Sequence, residues 1–280
     1  MPELPEVETV KNGLAPIVEG RRLFRVIQRR DKLRIPLPEN FAERLQGRRV
    51  ERIGRRAKYL LFYLDGPDIL ICHLGMSGRM TVTAAGDRGA PDIFGKHDHI
   101  ILETDAHDLV TYNDPRRFGL MTLCPADGLD QHRLFCHMGP EPLGNEFNPG
   151  YLATCAENRR SPIKNFLLDQ RVVAGLGNIY VCEALFEAGI SPKKNAGDLT
   201  GDEAEKLVPV IRDVLGRAIR AGGSSLKDYA QIDGTLGYFQ HQFRVYGRAG
   251  ESCPTSGCGG EIIRIIQGGR STFYCPACQD

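Results

Sequence analysis

The sequence predicts an α+β protein: an N-terminal β-sandwich entered through one helix, then a helical domain that ends in a small cysteine-rich ribbon. Three observations carry this. Short β-rich apolar runs recur over residues 1–130, and from residue 149 the apolar spacing becomes helical. Four of the nine cysteines crowd into the last 28 residues.

The first helix is read from Val7, Val10 and Leu14 at helical spacing, with Pro5 tolerated in a first turn. Strands follow at Leu23–Ile27, Val50–Ile53, Tyr59–Tyr63, Ile69–Cys72, Ile100–Leu102 and Leu120–Leu123, with Asp65-Gly66-Pro67-Asp68 as a hairpin turn. A Pro/Gly-rich stretch marks residues 131–148 as a linker between a sandwich over 1–130 and a helical domain over 149–243. Helices are expected near 149–157, 162–169, 178–188 and 200–221, the third stopped by Gly189. The 223–243 segment has weak periodicity and reads as a long loop of the functional kind. Residues 244–280 form the last module.

That module carries the clearest chemistry. Cys253-x4-Cys258, sixteen intervening residues, then Cys275-x2-Cys278 is the spacing of two knuckles that deliver four thiolates to one Zn2+. Ile262–Ile266 and Thr272–Tyr274 flank Gly268-Gly269 as a β-hairpin between the knuckles. Four thiolates leave no open position on the metal, so the zinc is structural. The other five cysteines, Cys72, Cys124, Cys136, Cys155 and Cys182, lack ligand spacing and read as small buried hydrophobes in a reducing compartment.

Charge and composition exclude several classes. No apolar run approaches the roughly 18 residues of a membrane helix. The opening Met1-Pro2-Glu3-Leu4-Pro5-Glu6 is unlike a signal peptide, which points to the cytoplasm. Net charge is only +1, yet Arg21–Lys58 holds fourteen Lys/Arg against four Asp/Glu. Such a stretch suits phosphates, although alone it reads first as a solvated basic face. Removal of Met1 would leave Pro2 as a terminal secondary amine, with Glu3 and Glu6 one helical turn apart. An α-amino group titrates near pH 8, and the positive end of a helix dipole further disfavours its protonation. A neutral secondary amine attacking a sugar C1′ gives a permanently cationic iminium, and a neighbouring carboxylic acid can supply the proton. The same residues also make an ordinary helix start, so this segment needs support from elsewhere.

That support is a resemblance covering nearly the whole chain. The opening Met1–Val10, Arg56–Leu60, His73–Arg79, Lys96–His99, Asp114–Gly119, Gly177–Tyr180, Tyr229–Gly234 and Val245–Arg248 all resemble segments of the bacterial formamidopyrimidine-DNA glycosylase family, in the same order. The resemblance implies a bifunctional base-excision enzyme removing oxidised purines, 8-oxoguanine and formamidopyrimidines, by β,δ-elimination. It implies a monomer acting on double-stranded DNA with oxidised purines or abasic sites, and a helix-two-turns-helix motif in the helical domain. Pro2 would be the Schiff-base nucleophile, Glu3 the proton donor, Lys58 the β-elimination and phosphate residue, and Arg270 the δ-elimination and backbone-binding residue, with Glu6 in support. His97, Arg116, Arg159, Lys164, Asn178 and Tyr246 fall on family DNA contacts. Met76, Arg116 and Phe118 would fill the gap left by an extruded nucleotide.

Two departures stand out. Four residues separate the first cysteine pair where two are usual, and the lesion-side loop has Tyr229 and Ala230 where many members carry Phe and a larger apolar residue. Two rival readings make different demands. An endonuclease VIII-like enzyme for oxidised pyrimidines usually opens with Gly at the position of Leu4 and lacks the Lys227–Gly234 type of loop. A non-enzymatic zinc-ribbon DNA binder has no use for Pro2, Glu3 and Lys58 together.

Overall fold

The computed structural model describes residues 2–87, 93–224 and 237–279. Met1 and the Lys227–Gly234 loop therefore lie outside the described residues. The chain divides into two units: Met1–Cys136 with Ala221–Tyr238, and His137–Arg220 with Phe239–Asp280.

In the first unit, α1 (Leu4–Val18) leads into β1 (Leu23–Gln28), α2 (Phe41–Leu45), β2 (Val50–Arg56), β3 (Tyr59–Leu64) and β4 (Asp68–His73). Then come β5 (Arg79–Thr83), β6 (Asp98–Thr104), β7 (Leu109–Asn113) and β8 (Leu120–Pro125). They form two antiparallel four-stranded sheets, β1-β6-β7-β5 and β2-β3-β4-β8. One core joins both sheets to α1: Val26, Ile100, Val110 and Met80 from the first, Ile53, Phe62, Leu70 and Met121 from the second, and Val7, Val10, Leu14 and Val18 from the helix. This is the sandwich the strand spacing predicts. β5 and β7 escape the sequence reading. β5 is only five residues long and has two inward apolar positions, Met80 and Val82, so its alternation is too brief to register.

The second unit holds α3 (Pro149–Ala156), α4 (Ile163–Leu167), α5 (Asn178–Ala188), α6 (Gly201–Arg220) and the hairpin of β9 (Ile263–Gln267) and β10 (Arg270–Tyr274). α3 starts with Pro149 at its first position, while the Asn148 side chain accepts from Tyr151 N at 2.9 Å. α5 ends on Gly189 at φ 73°, as expected. α6 buries Ala204, Leu207, Val208, Ile211, Val214, Leu215 and Ala218, one apolar stripe at helical spacing. The ribbon rests on α5, where Cys182 and Phe186 join Val245, Ile262 and Cys275 in a small core.

Two boundaries differ from the sequence reading. Residues 137–148 are a packed part of the second unit: the Arg212 guanidinium donates to the carbonyls of Pro142, Gly144 and Phe147 at 2.7–3.2 Å, and Phe147 is fully buried. Residues 221–238, placed in the helical domain by sequence, belong to the first unit. Among their described residues Ser224 bonds to Glu6, and a hydrogen bond donated by such a polar residue leaves no periodicity to read. No helix among the described residues is long and apolar enough to cross a membrane.

Candidate active site

The start of α1 is built by its own carboxylates. Pro2 is buried and Glu3 is the N-cap residue of a capping box, its side chain accepting from the backbone three residues on. Glu6 completes the box, its Oε2 accepting from Glu3 N at 2.8 Å. The other oxygen of Glu6 accepts from Ser224 N at 2.8 Å and Ser224 Oγ at 3.0 Å. Gly223, at φ 79°, makes this approach possible, since a Cβ there would sit 3.0 Å from Glu6 Oε1. The far end of the excursion closes beside it, with Tyr238 N donating to Ala221 O at 3.0 Å. One carboxylate thus joins the candidate nucleophile's helix to the neck of the 221–238 loop.

Lys58 sits in the turn between β2 and β3, after Ala57 in the left-handed region at φ 51°. Arg55 holds this turn, its Nε donating to Glu8 of α1 at 2.6 Å and its Nη1 to Ala57 O at 2.8 Å. Burial alone would raise the Glu8 carboxyl, but hydrogen bonds from Lys11 and Arg55 outweigh it and hold the group below its ordinary value. Lys58 itself is 7% exposed. Its charge acts on His73, whose ring lies 4.8 Å from that of Tyr59 at a tilt of 53° and whose Nδ1 accepts from Gly75 N at 2.9 Å.

Burial, then the charges of Lys58 and Arg34, push His73 down to about 4. The sequence reading missed this residue, although it heads the quoted His73–Arg79 segment; the signal was a lone histidine beside a glycine turn. Its depressed value has a testable consequence. The unfolded chain binds a proton near pH 6.5 that the folded chain refuses until about 4. The stabilisation is therefore complete above pH 6.5 and lost as pH falls toward 4, by at most about 3 kcal/mol. Urea midpoints for the protein and for His73→Asn, compared between pH 7 and 5, are expected to diverge, with the variant losing less. Parallel lines would refute the shift.

At the same end of the sandwich, Met76 and Phe118 are exposed, at 37% and 45%, on adjacent turns. The Arg116 guanidinium lies 4.6 Å over the Phe118 ring. His97 is partly buried, its ring 6.5 Å from that of His99.

In the second unit, Arg270 is exposed and opens β10 immediately after the Gly268-Gly269 turn, paired with Gln267. Asn178 begins α5, and its Nδ2 donates to Ser271 O at 2.9 Å, with Tyr246 Oη at 3.4 Å. Glu183, on the same helix, accepts from the N–H groups of Arg244, Val245 and Tyr246 at 2.8–3.1 Å. Burial nevertheless raises its pKa. That residue, invisible in the sequence pattern, fixes the backbone carrying Tyr246. Arg159 is exposed. Lys164 is not where a DNA contact belongs: it is fully buried, and its ammonium donates to Ser271 O at 3.1 Å and Thr272 Oγ1 at 2.6 Å. A charge so enclosed needs those oxygens to stay solvated, so Lys164 holds the Arg270 hairpin in place.

The four ribbon cysteines converge, all Sγ atoms lying within 4.8 Å of one another. Cys253 and Cys278 are 3.6 Å apart, as are Cys258 and Cys275. Thiolates about 2.3 Å from a tetrahedral zinc stand about 3.8 Å from each other, so the set fits one Zn2+. The longer first knuckle does not disturb it. Of the remaining cysteines, Cys72, Cys124 and Cys182 are buried as expected, whereas Cys136 is exposed.

Three family profiles match in chain order: the formamidopyrimidine-DNA glycosylase N-terminal domain over residues 1–121, its H2TH domain over 138–230, and the zinc finger found in FPG and IleRS over 250–280. Sandwich, helical unit and four-thiolate finger together define a zinc-containing DNA glycosylase. The formamidopyrimidine-DNA glycosylase of Dinoroseobacter shibae is 54% identical across all of both chains. The MutM (Fpg) protein of Thermus thermophilus is 38% identical, with a TM-score of 0.87 over 99% of this chain and 98% of that one. Lactococcus lactis Fpg, solved as a point mutant with Fapy-dG DNA and also with abasic-site DNA, is 35% identical with a TM-score of 0.88 over all of both chains. The chain belongs to the formamidopyrimidine-DNA glycosylase family.

Proposed function

We propose that this protein is a base-excision-repair glycosylase and abasic-site lyase that removes 8-oxoguanine and formamidopyrimidines from duplex DNA, acting as a cytoplasmic monomer. The observation that carries the mechanism is the capping box at the start of α1, which sets Glu3 and Glu6 at fixed places beside Pro2. The neutral Pro2 amine bonds to C1′ as the C1′–base bond breaks, the amine proton leaving with the base, and Glu3 then supplies a proton to the sugar ring oxygen as the C1′–O4′ bond opens. The resulting iminium withdraws electrons from C2′. Loss of a C2′ proton then expels the 3′ phosphate, with Lys58 assisting, and a second elimination expels the 5′ phosphate, with Arg270 assisting. Zinc, held by Cys253, Cys258, Cys275 and Cys278, supplies folding energy to the finger and no chemistry.

Substrate binding divides between exposed cations and the base-gap residues. Arg116, Arg159 and Arg270 are exposed and suited to DNA, and Asn178, Tyr246 and His97 are accessible enough to contact a backbone. Met76 is a flexible plug, Phe118 a wedge between stacked pairs, and Arg116 a donor to the orphaned cytosine. Relatives solved on Fapy-dG and abasic DNA support the purine reading. Borohydride added to the protein with 8-oxoguanine duplex is expected to trap a covalent complex. A protein that binds and excises without ever trapping would overturn the Schiff-base reading.

A further inference from the structure

We infer that Asp114 is a positioning residue that locks the Met76 turn and the Arg116–Phe118 turn into one rigid unit for entering the base stack. The inference rests on the reading of Met76, Arg116 and Phe118 proposed above.

Both turns cross from one sheet to the other at the same end of the sandwich. The first joins β4 to β5, the second β7 to β8, and the strands bracketing them pair as His73↔Leu120 and Arg79↔Asn113. Strand pairing therefore sets the feet of the turns side by side. Their upper parts are held by the Asp114 carboxylate, which has no solvent exposure. Its Oδ1 accepts from Ser77 Oγ at 2.6 Å, and its Oδ2 accepts from Gly119 N at 2.9 Å and Tyr112 Oη at 3.1 Å. Ser77 Oγ, having given its proton to Asp114, accepts from Arg116 N at 3.2 Å. Burial keeps the Tyr112 phenol protonated, so it remains a donor.

The hydroxyl of the Met76 turn is thus bonded to the carboxylate and the backbone of the Arg116 turn at once. Sterics close what hydrogen bonds begin. Gly75, at φ 69°, has Phe118 C and Gly119 N 2.4 Å from where a Cβ would stand, and a Cβ on Gly119 would fall 1.8 Å from Tyr112 Oη. Backbone meets backbone with no side chain between, so neither turn can shift without the other. Exposed Met and Phe side chains gain most from such a frame, because the ordering they need for insertion is complete before DNA arrives.

Ser77→Ala removes the bridge and leaves the exposed side chains intact. Its excision of 8-oxoguanine opposite cytosine is expected to fall about tenfold to a hundredfold, the scale of a small misplacement. Cleavage of a pre-formed abasic site, which needs no base displaced, is expected to stay unchanged. Preference for cytosine over adenine opposite the lesion should weaken toward that of Arg116→Ala. Ser77→Thr, which keeps the hydroxyl, should restore both. Tyr112→Phe is the second variant: it removes another donor to Asp114 without touching Ser77, and should lower the excision-to-abasic ratio by less. Unchanged ratios in both variants, or equal loss of both activities, would overturn the inference. Failure of the unaltered protein to trap abasic DNA would overturn the proposed function instead.

Discussion

A protein carrying one extra residue ahead of Pro2 is expected to bind lesion DNA yet form no borohydride-trapped complex. The lone pair of an amide nitrogen is delocalised into its carbonyl and cannot attack C1′, so the loss is complete in kind. Pro2→Gly, after removal of Met1, leaves a primary amine and is expected to retain partial trapping, because a primary amine also forms an imine. The fold sharpens the contrast. Pro2 is buried at the head of α1, and the capping box of Glu3 and Glu6 beside it is made by their own side chains and backbone, so acylating Pro2 is expected to leave the box intact while removing the nucleophile. The measurement is mass spectrometry of the N-terminus followed by trapping of the same sample. Robust trapping by protein with verified intact Met1 would falsify the assignment of the nucleophile.

Loss of zinc is expected to have the second large effect, on binding and not on bond breaking. The ribbon has only a small core, shared with α5, and its two knuckles converge on the four thiolates. Zinc in such modules contributes about 10–16 kcal/mol of folding energy, more than this hairpin can replace. Chelation or Cys275→Ser should therefore unfold β9 and β10, releasing Ser271 and Thr272 from Lys164 and Asn178. Arg270 then loses its fixed direction. Duplex binding should drop steeply, and Arg270→Ala should reproduce much of that drop with zinc still at one per chain. A metal-free enzyme that bound lesion DNA normally and failed only at chemistry would give the metal a catalytic role.

How much of the molecule is legible in its sequence depends on the range of the interactions involved. α5 and the ribbon cysteines are specified by local spacing, and both stand where spacing puts them. Helix boundaries at 149, 178 and 188 are likewise written in Pro, Gly and the apolar period. Lys164 reads as a DNA contact because a lysine looks the same in sequence whether it meets a phosphate or, as here, a carbonyl more than a hundred residues away. Glu183 leaves no mark for the same reason: it acts on backbone N–H groups, which every residue but proline possesses. Asp114 opens a recognisable segment, but its bond to Ser77, 37 residues away, is not written in it. Ser224, which sequence places in the helical domain, joins the first unit through its bonds to Glu6, too sparse a code to show as periodicity.

The two crossing turns also bear on how this surface could change over generations or at an engineer's bench. Their backbone admits almost no variation, since the clearances at Gly75 and Gly119 are filled by neighbouring atoms. The side chains at their crests, by contrast, are exposed, with Arg116 packing over Phe118. Mutation can thus exchange what touches the helix stack while the mount that aims it stays the same. On the proposed reading of Met76, Arg116 and Phe118, lesion choice and partner-base choice become adjustable at this rim with little harm to folding.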